Sequence, residues 1–315
     1  MSDGPLDTLG VGLWTLQSST TRPGNPTAIY RRFADAAEHA DALGFHSVWA
    51  AEHRLWYDGF CPQLLHAQAF AGARTSRLHL GQAMLIGPQH DPVALARSAE
   101  TLQAITGGRL ELGLGLGHRD AEFDALGLRR DRRGRLLEPV LDAVEGVGAR
   151  LWLGGMASTT LARAARRGAG LLLPQTMLVD ELGPLLQEYR DVGGAGSIGI
   201  LRDVWIEPDP ELAAPVRERV VSHYLEEAGA WWVLKGTVGF GNPEQLGRQR
   251  ARIERTMTVG SAAEVAARLH ADRAAGVELH CLRLVYDFTA ADALHAQLDQ
   301  IAAELPPLLV DGGTT

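Results

Sequence analysis

Eight short apolar runs alternate with longer, helix-patterned segments along the 315 residues, and this alternation confines the chain to a largely parallel α/β architecture. The runs are LGVGL (9–13), HSVWA (46–50), LHLGQAMLI (78–86), RLELGLGLG (109–117), RLWLGG (150–155), GLLLP (170–174), SIGILRDVWIE (197–207) and LHCLRLV (279–285). Stretches this short and this uniformly apolar read as strands covered on both faces. Between the first two, Ile29, Phe33, Ala36, Ala37 and Ala40 recur at helical spacing over 27–43, and Gly44 stops that helix. Gly107 and Gly108 stop another over 93–106, and further helices are expected near 62–74, 131–146 and 290–303. Eight strand–helix units are the arithmetic of a closed (β/α)8 TIM barrel. A doubly wound sheet of two domains has the same ingredients, but no Pro- or Ser-rich linker interrupts the middle of the chain. The expectation is one barrel over residues 1–308, with 309–315 as a frayed tail.

Composition narrows the function classes. A net charge of −8 and arginine clusters that alternate with acids or lie on expected helices disfavour nucleic-acid binding. No apolar run approaches the roughly 20 residues needed to cross a bilayer. The start, MSDGPLDTLG, has neither the basic nor the apolar region of a targeting peptide, so a cytoplasmic location is expected. Cys61 and Cys281 form neither a disulfide framework nor a metal-ligand spacing, and both read as reduced thiols.

Barrel enzymes assemble their sites at the C-terminal ends of the strands. Here Glu52, His53 and Arg54 follow the second strand, Gln82 to Pro88 close the third, Leu116, His118 and Arg119 follow the fourth, and Gly154 to Thr160 follow the fifth. His53 can serve as acid, base or hydrogen-bond donor, or simply as a loop histidine. GLGLGHR resembles a phosphate loop, but without the acidic residue of a dinucleotide fold it reads as a strand end where backbone approaches a ligand. In GGMASTTLARAARRG, two glycines end a strand and Ser158 to Thr160 open a helix, which makes either an anion site or an ordinary capped helix start. The acids and histidines do not accumulate into a ligand set, so a metal-dependent hydrolase is disfavoured and no metal is expected.

The largest irregular insertion, 208–260, falls between the seventh and eighth strands and carries Trp231, Trp232 and the only lysine, Lys235. It reads equally as a lid over the mouth or as extra helices on the wall.

GFHSVWAAEHR, LHLGQAMLIGPQHDPVALA, GGRLELGLGLGHRDAEFDALG and GGMASTTLARAARRG, in this order, resemble the bacterial luciferase-like flavin-dependent monooxygenase family. The likeness covers most of 9–175, with a weaker echo in VGSAAEVAARLHADRAAGVELHCLRL. It implies a TIM barrel that takes reduced FMN from a separate flavin reductase and uses O2, through a C4a-peroxyflavin, to oxygenate an apolar or aromatic small molecule. It further implies that Glu52 and His53 are the catalytic Glu-His pair, and that Gln82–Ala83 is a non-prolyl cis peptide against the flavin ring. By the same likeness, backbone at Gly155 and Met156 and the Thr159 hydroxyl hold the flavin phosphate. Leu116 stands where the luciferase α subunit has a phosphate-binding arginine and Met156 where it has a serine, which leaves Arg119 as the candidate replacement charge. Arg54 replaces a second family histidine, and the chain is short between Arg135 and Arg150. Trp56, Tyr57 and Trp231 are candidates for the substrate pocket. A homodimer is implied by the family alone. Deazaflavin-dependent hydride transfer and a non-catalytic flavin-binding subunit are the alternatives.

Overall fold

Glycines that stop helices set the rhythm of the chain. Gly44 and Gly107 take left-handed φ values of 91° and 64°, and their N–H groups close the last turns of α1 (Pro26–Leu43) and α3 (Pro92–Thr106). Each helix begins as clearly: Asn25 and Asp91 accept hydrogen bonds from the first-turn N–H groups of Thr27 and Ala94. The computed structural model describes residues 5–12, 16, 25–55, 61–227, 243–284 and 290–310.

Between these helices run β1 (Leu9–Gly12), β2 (Ser47–Ala50), β3 (His79–Gln82), β4 (Leu85–Ile86), β5 (Leu110–Gly115), β6 (Arg150–Gly154), β7 (Gly170–Leu173), β8 (Ile198–Ile206), β9 (Thr258–Gly260) and β10 (Leu279–Arg283). All pairings are parallel, in the order β10-β1-β2-β3-β5-β6-β7-β8, and β8 pairs with β10 to close the ring. Eight strands therefore form the closed barrel expected from the alternation, each at the position where the apolar runs fall. β4 resumes the line of β3 after Ala83 and Met84 and pairs with the far end of β5. β9 lies outside the ring on the last three residues of β8, Val204 to Ile206.

Inside the barrel, Trp49 and Trp152 are fully buried and meet edge to face with ring centroids 5.9 Å apart. Their neighbours are Ala83, Leu172, Leu201, Leu279 and Cys281. Two indoles fit because neighbouring strands carry glycine: a Cβ at Gly81, the ladder partner of Trp49, would sit 2.2 Å from the Trp49 ring. Losing such an indole costs about 3 to 5 kcal/mol in a packed core. Each indole N–H is satisfied, Trp49 by Ser47 Oγ at 2.7 Å and Trp152 by Glu111 Oε2 at 2.6 Å. The larger apolar layer lies between strands and helices.

The remaining helices are α2 (Leu64–Gly72), α4 (Asp120–Ala125), α5 (Arg133–Val144), α6 (Ser158–Arg166), α7 (Val179–Asp191), α8 (Pro210–Ser222), α9 (Pro243–Thr256), α10 (Ala262–Ala274) and α11 (Ala291–Val310). α4 occupies what reads in sequence as a charged loop, and the final helix runs to Val310, into the expected tail. The described part of 208–260 holds α8, a short π-helical turn over His223–Glu227, α9 and β9. Trp56, Tyr57, Trp231, Trp232 and Lys235 lie outside the described residues. Cys61 and Cys281 are buried free thiols. Among the described residues, no helix is long and apolar enough to cross a membrane.

Candidate functional site at the barrel mouth

The C-terminal ends of β2, β4, β5 and β6 converge on a cavity of about 350 Å³, within the usual range for a small-ligand site. Its wall combines Glu52 and His53 after β2, Ala83 and Met84, Gly115 to His118 after β5, and Gly154 to Ala157 with Thr160 after β6. The strand ends come together because the barrel is parallel, so every strand delivers its C-terminal tip to the same mouth.

The cis peptide of this wall joins Ala83 to Met84, one bond later than the family likeness places it at Gln82–Ala83. The register decides this: Gln82 is the last ladder residue of β3, paired with Ala50, and its side chain donates back to the Leu80 carbonyl. The chain leaves the ladder only after Gln82, so Ala83 and Met84 reach the cavity and Gln82 does not line it. Glycines on the neighbouring strands make the space. A Cβ at Gly113 would stand 1.7 Å from the Gln82 carbonyl oxygen, and one at Gly154 would stand 2.9 Å from Met84 Cγ. Within the glycine run of β5, Gly113 gives room to the chain's own 82–84 segment, while Gly115 and Gly117 line the cavity.

Glu52 and His53 both line the cavity, but they do not pair with each other. Glu52 Oε1 lies 2.6 Å from His90 Nε2, and its Oε2 is buried with no hydrogen-bond partner. His53 Nδ1 lies 3.3 Å from Oε2 of Glu122, a carboxylate of α4 whose side chain is wholly buried. Glu122 also accepts from the Leu55 N–H at 3.3 Å and has the Arg119 guanidinium 3.8 Å away. Burial works to raise the Glu122 carboxyl, but the His53 hydrogen bond, the Leu55 N–H and the Arg119 charge outweigh it and hold the group below the usual carboxylate range. An ionised carboxylate on Nδ1 fixes the tautomer with the proton on that nitrogen and leaves Nε2 as the acceptor. The His118 ring stands edge-on to His53 at 6.0 Å.

The anion-binding side is built differently from the sequence reading. Ala157, not Ser158, Thr159 or Thr160, is the N-cap of α6, and no side chain caps it. The first-turn N–H groups are therefore not satisfied by a cap, as at an anion-binding helix start. Thr160 is the threonine on the cavity wall, while Thr159 is exposed and off it. Gly155 lines the cavity with φ of 140°, a value that glycine adopts freely, and Met156 lines it while remaining 44% exposed. Arg119 is turned away: it donates to the Leu55 carbonyl beneath the mouth and does not line the cavity. The guanidinium that does line it belongs to Arg133 at the start of α5, whose Nε is buried without a partner.

Sequence reasoning missed His90, Glu122 and Arg133. The first two lie inside quoted motifs, in GPQHDP and GHRDAEFDALG, and their signal is position: each stands beside a buried residue of the same turn, Gln89 and Phe123. Arg133 carries no local signal, because only the packing of α5 on α3 and the 87–89 turn brings it to the cavity.

The glycine-lined slot, the unpartnered Glu52 oxygen, the uncapped helix start and the free edge of Arg133 together suit a flat heteroaromatic ring bearing a phosphate. A carboxylate oxygen accepts from a ring N–H, and helix N–H groups with a guanidinium hold a dianion.

The sequence model of the luciferase-like monooxygenase family matches residues 10–150. Among relatives, a luciferase-like monooxygenase of Escherichia coli is 27% identical over 176 residues, 50% of this chain and 52% of that protein. An F420-dependent glucose-6-phosphate dehydrogenase of Kineococcus radiotolerans is 34% identical over 117 residues, 35% of this chain and 34% of that protein. The chain spans about half the length, or less, of the curated relatives it matches. Among solved structures, the monooxygenase RslO1 from Streptomyces bottropensis superposes with a TM-score of 0.81 at 20% identity, covering 95% of this chain and 99% of that one. The oxygenating constituent of 3,6-diketocamphane monooxygenase from Pseudomonas putida, in complex with FMN, gives 0.77 at 16% identity, covering 95% and 97%. At these identities the superpositions speak for the barrel alone. Motif order, the family match over 10–150 and the closed barrel agree, and the likeness is to the luciferase-like monooxygenase family.

Proposed function

We propose that the protein is a flavin-dependent monooxygenase that uses reduced FMN and O2 to oxygenate an apolar or aromatic small molecule. The observation that carries this reading is the joining, in one 350 Å³ cavity, of a glycine-lined slot, an uncapped helix start with Arg133, and the His53–Glu122 pair. Reduced FMN, when bound, supplies the two electrons with which O2 is activated. The protein's part is to bind, to orient and to exclude water.

Ala83, Met84 and Gly115 form the slot for the ring, and Glu52 Oε2 offers it an acceptor. Backbone at Gly155 to Ala157, the Thr160 hydroxyl and Arg133 hold the phosphate. His53 takes up and returns a proton at Nε2, while Glu122 keeps the ring oriented and balances the imidazolium when it forms. The His90–Glu52 pair holds the second carboxylate in place. A reductase supplying reduced flavin and a homodimeric assembly belong to the same proposal; sedimentation as a monomer at micromolar concentration rejects the dimer.

Hydride transfer with a deazaflavin is the second reading, favoured by the F420-dependent relative. Anaerobic titration with reduced FMN and with reduced deazaflavin, followed by a pulse of air, separates the two. Tight binding of reduced FMN with O2 uptake upholds the monooxygenase, and selective binding of the deazaflavin with no response to air overturns it. A flavin complex inert in both arms favours a non-catalytic subunit.

A further inference from the structure

At the opposite end of the barrel, three strands begin with side chains that have no part in the mouth. His46 just before β2, His79 opening β3 and Glu111 in β5 bring ligating atoms within 4.8 Å of one another. These are neighbouring strands of one sheet, held in register by the ladder pairs Ser47 with His79 and Leu80 with Leu110. The two imidazoles stack at 4.8 Å with 12° between their planes. Glu111 is 1% exposed, whereas the histidines are half-buried.

The hydrogen bonding of this cluster is incomplete. Glu111 Oε2 accepts from the Trp152 indole at 2.6 Å, so it is fixed. Oε1 lies 3.0 Å from His79 Nδ1, yet that nitrogen is buried without a hydrogen bond. A ring nitrogen and a carboxylate oxygen held 3.0 Å apart, with a second imidazole stacked beside them, are an arrangement that a cation completes. The standing positive charge nearby is Arg150, whose guanidinium lies 3.7 Å from Oε1 and whose side chain is 54% exposed. Ser47 Oγ, 2.9 Å from His46 Nδ1, anchors that ring from behind.

We propose that His46, His79 and Glu111 form a binding site for a first-row divalent cation, zinc above all, at the N-terminal end of the barrel. Two imidazoles and one carboxylate are a borderline donor set that suits Zn2+, and bonds of about 2.0 to 2.2 Å need only side-chain rotation to close a cluster of this span. The fourth position faces solvent and takes water, with Arg150 displaced. The ion ties β2, β3 and β5 together at the barrel's stability end, away from the mouth. The proposal stands whether or not a flavin occupies the mouth.

The test is calorimetric titration of the chelator-stripped full chain with zinc chloride, with the thermal midpoint measured beside it. One ion per chain is expected, with a midpoint that rises on addition of zinc. His46→Asn and His79→Asn each weaken binding by about tenfold or more and abolish the rise. Arg150→Ala, which alters an exposed side chain and no ligand, tightens binding by removing the competing cation. No uptake at micromolar zinc, uptake undiminished in both histidine variants, or binding indifferent to Arg150→Ala overturns the site. FMN titration of the same variants is unchanged, which separates this outcome from a failure at the mouth.

Discussion

The two ends of the barrel use the same pieces, histidines against buried glutamates, and finish them differently. At the N-terminal end, Trp152 fixes one Glu111 oxygen, while the other lies beside His79 Nδ1 and the half-exposed Arg150 in a cluster only a few ångströms across. At the mouth, Glu52 and Glu122 each serve one histidine, and Glu52 keeps an oxygen unpartnered on the wall of a cavity. Burying a polar atom without a partner costs about 1 to 3 kcal/mol. The difference teaches that what a titratable cluster can hold is set less by its residue types than by the space its unmade bonds face, 4.8 Å of span at one end and a 350 Å³ cavity at the other.

The sharpest way to break this contrast is at His53. His53→Ala is expected to lower product formation by about 10² to 10⁴ while FMN still binds, with O2 consumed to H2O2; equal product yield in variant and wild type would remove the mouth from consideration. His46→Ala, the matching change at the other end, leaves product formation within about twofold, and a loss like that of His53→Ala would erase the distinction between the two ends.

Next in size is the backbone around the cavity. Gly113→Ala sets a methyl against the Gln82 carbonyl, with 1.7 Å between them before relaxation, and should destabilise the fold by several kcal/mol, about as much as severe overpacking. Gly146→Ala, where a Cβ meets nothing within 4 Å, is the control, and equal chemical-denaturation midpoints for the two would refute the packing argument.

A smaller effect is expected from Arg133→Ala, which should weaken FMN about tenfold and leave riboflavin unaffected, since a charged hydrogen bond is worth about 1.5 to 3 kcal/mol and this one is partly open to solvent. Equal weakening of the two flavins, followed by fluorescence titration, would place the phosphate elsewhere.

The smallest effect concerns acid. Burial pushes His280 down to about 3 and His46 to about 4, each below the ordinary 6.5 of the unfolded chain. A depressed histidine means that the unfolded chain binds more protons at low pH, so this share of stability is present above about 6.5 and is lost as pH falls toward 4 and then 3. The thermal midpoint should decline across that window, and His280→Leu should flatten the decline; an unchanged slope in the variant counts against the assignment.

Much of this was legible in the sequence. The eight barrel strands fall where the apolar runs lie, because a strand covered on both faces has little freedom in composition. Glu52 and His53 were legible for a related reason, since the end of a barrel strand is also the edge of the mouth. Their partners were not. Glu122 lies 69 residues from His53, and His90 lies 38 from Glu52, so the pairing is decided by how α4 and the turn after β4 fold over the strand ends. The family likeness names Glu52 and His53 together, whereas each takes its partner from another segment, Glu52 from His90 and His53 from Glu122. The His46, His79 and Glu111 cluster escaped for the same reason. Its members lie at the starts of three different strands, before β2, opening β3 and one residue into β5, and no spacing along one segment reveals them.

β8 runs nine residues and outlasts the ring, and Glu207 N–H meets the Gly260 carbonyl at 2.8 Å where β9 joins it. The chain thus departs on its long excursion and comes home at the same doorstep. A segment clasped in this way can be lengthened, exchanged or pruned by evolution without retuning the eight staves beneath it, and a graft between Ile206 and Gly260 is the natural seam for engineering new selectivity into the molecule.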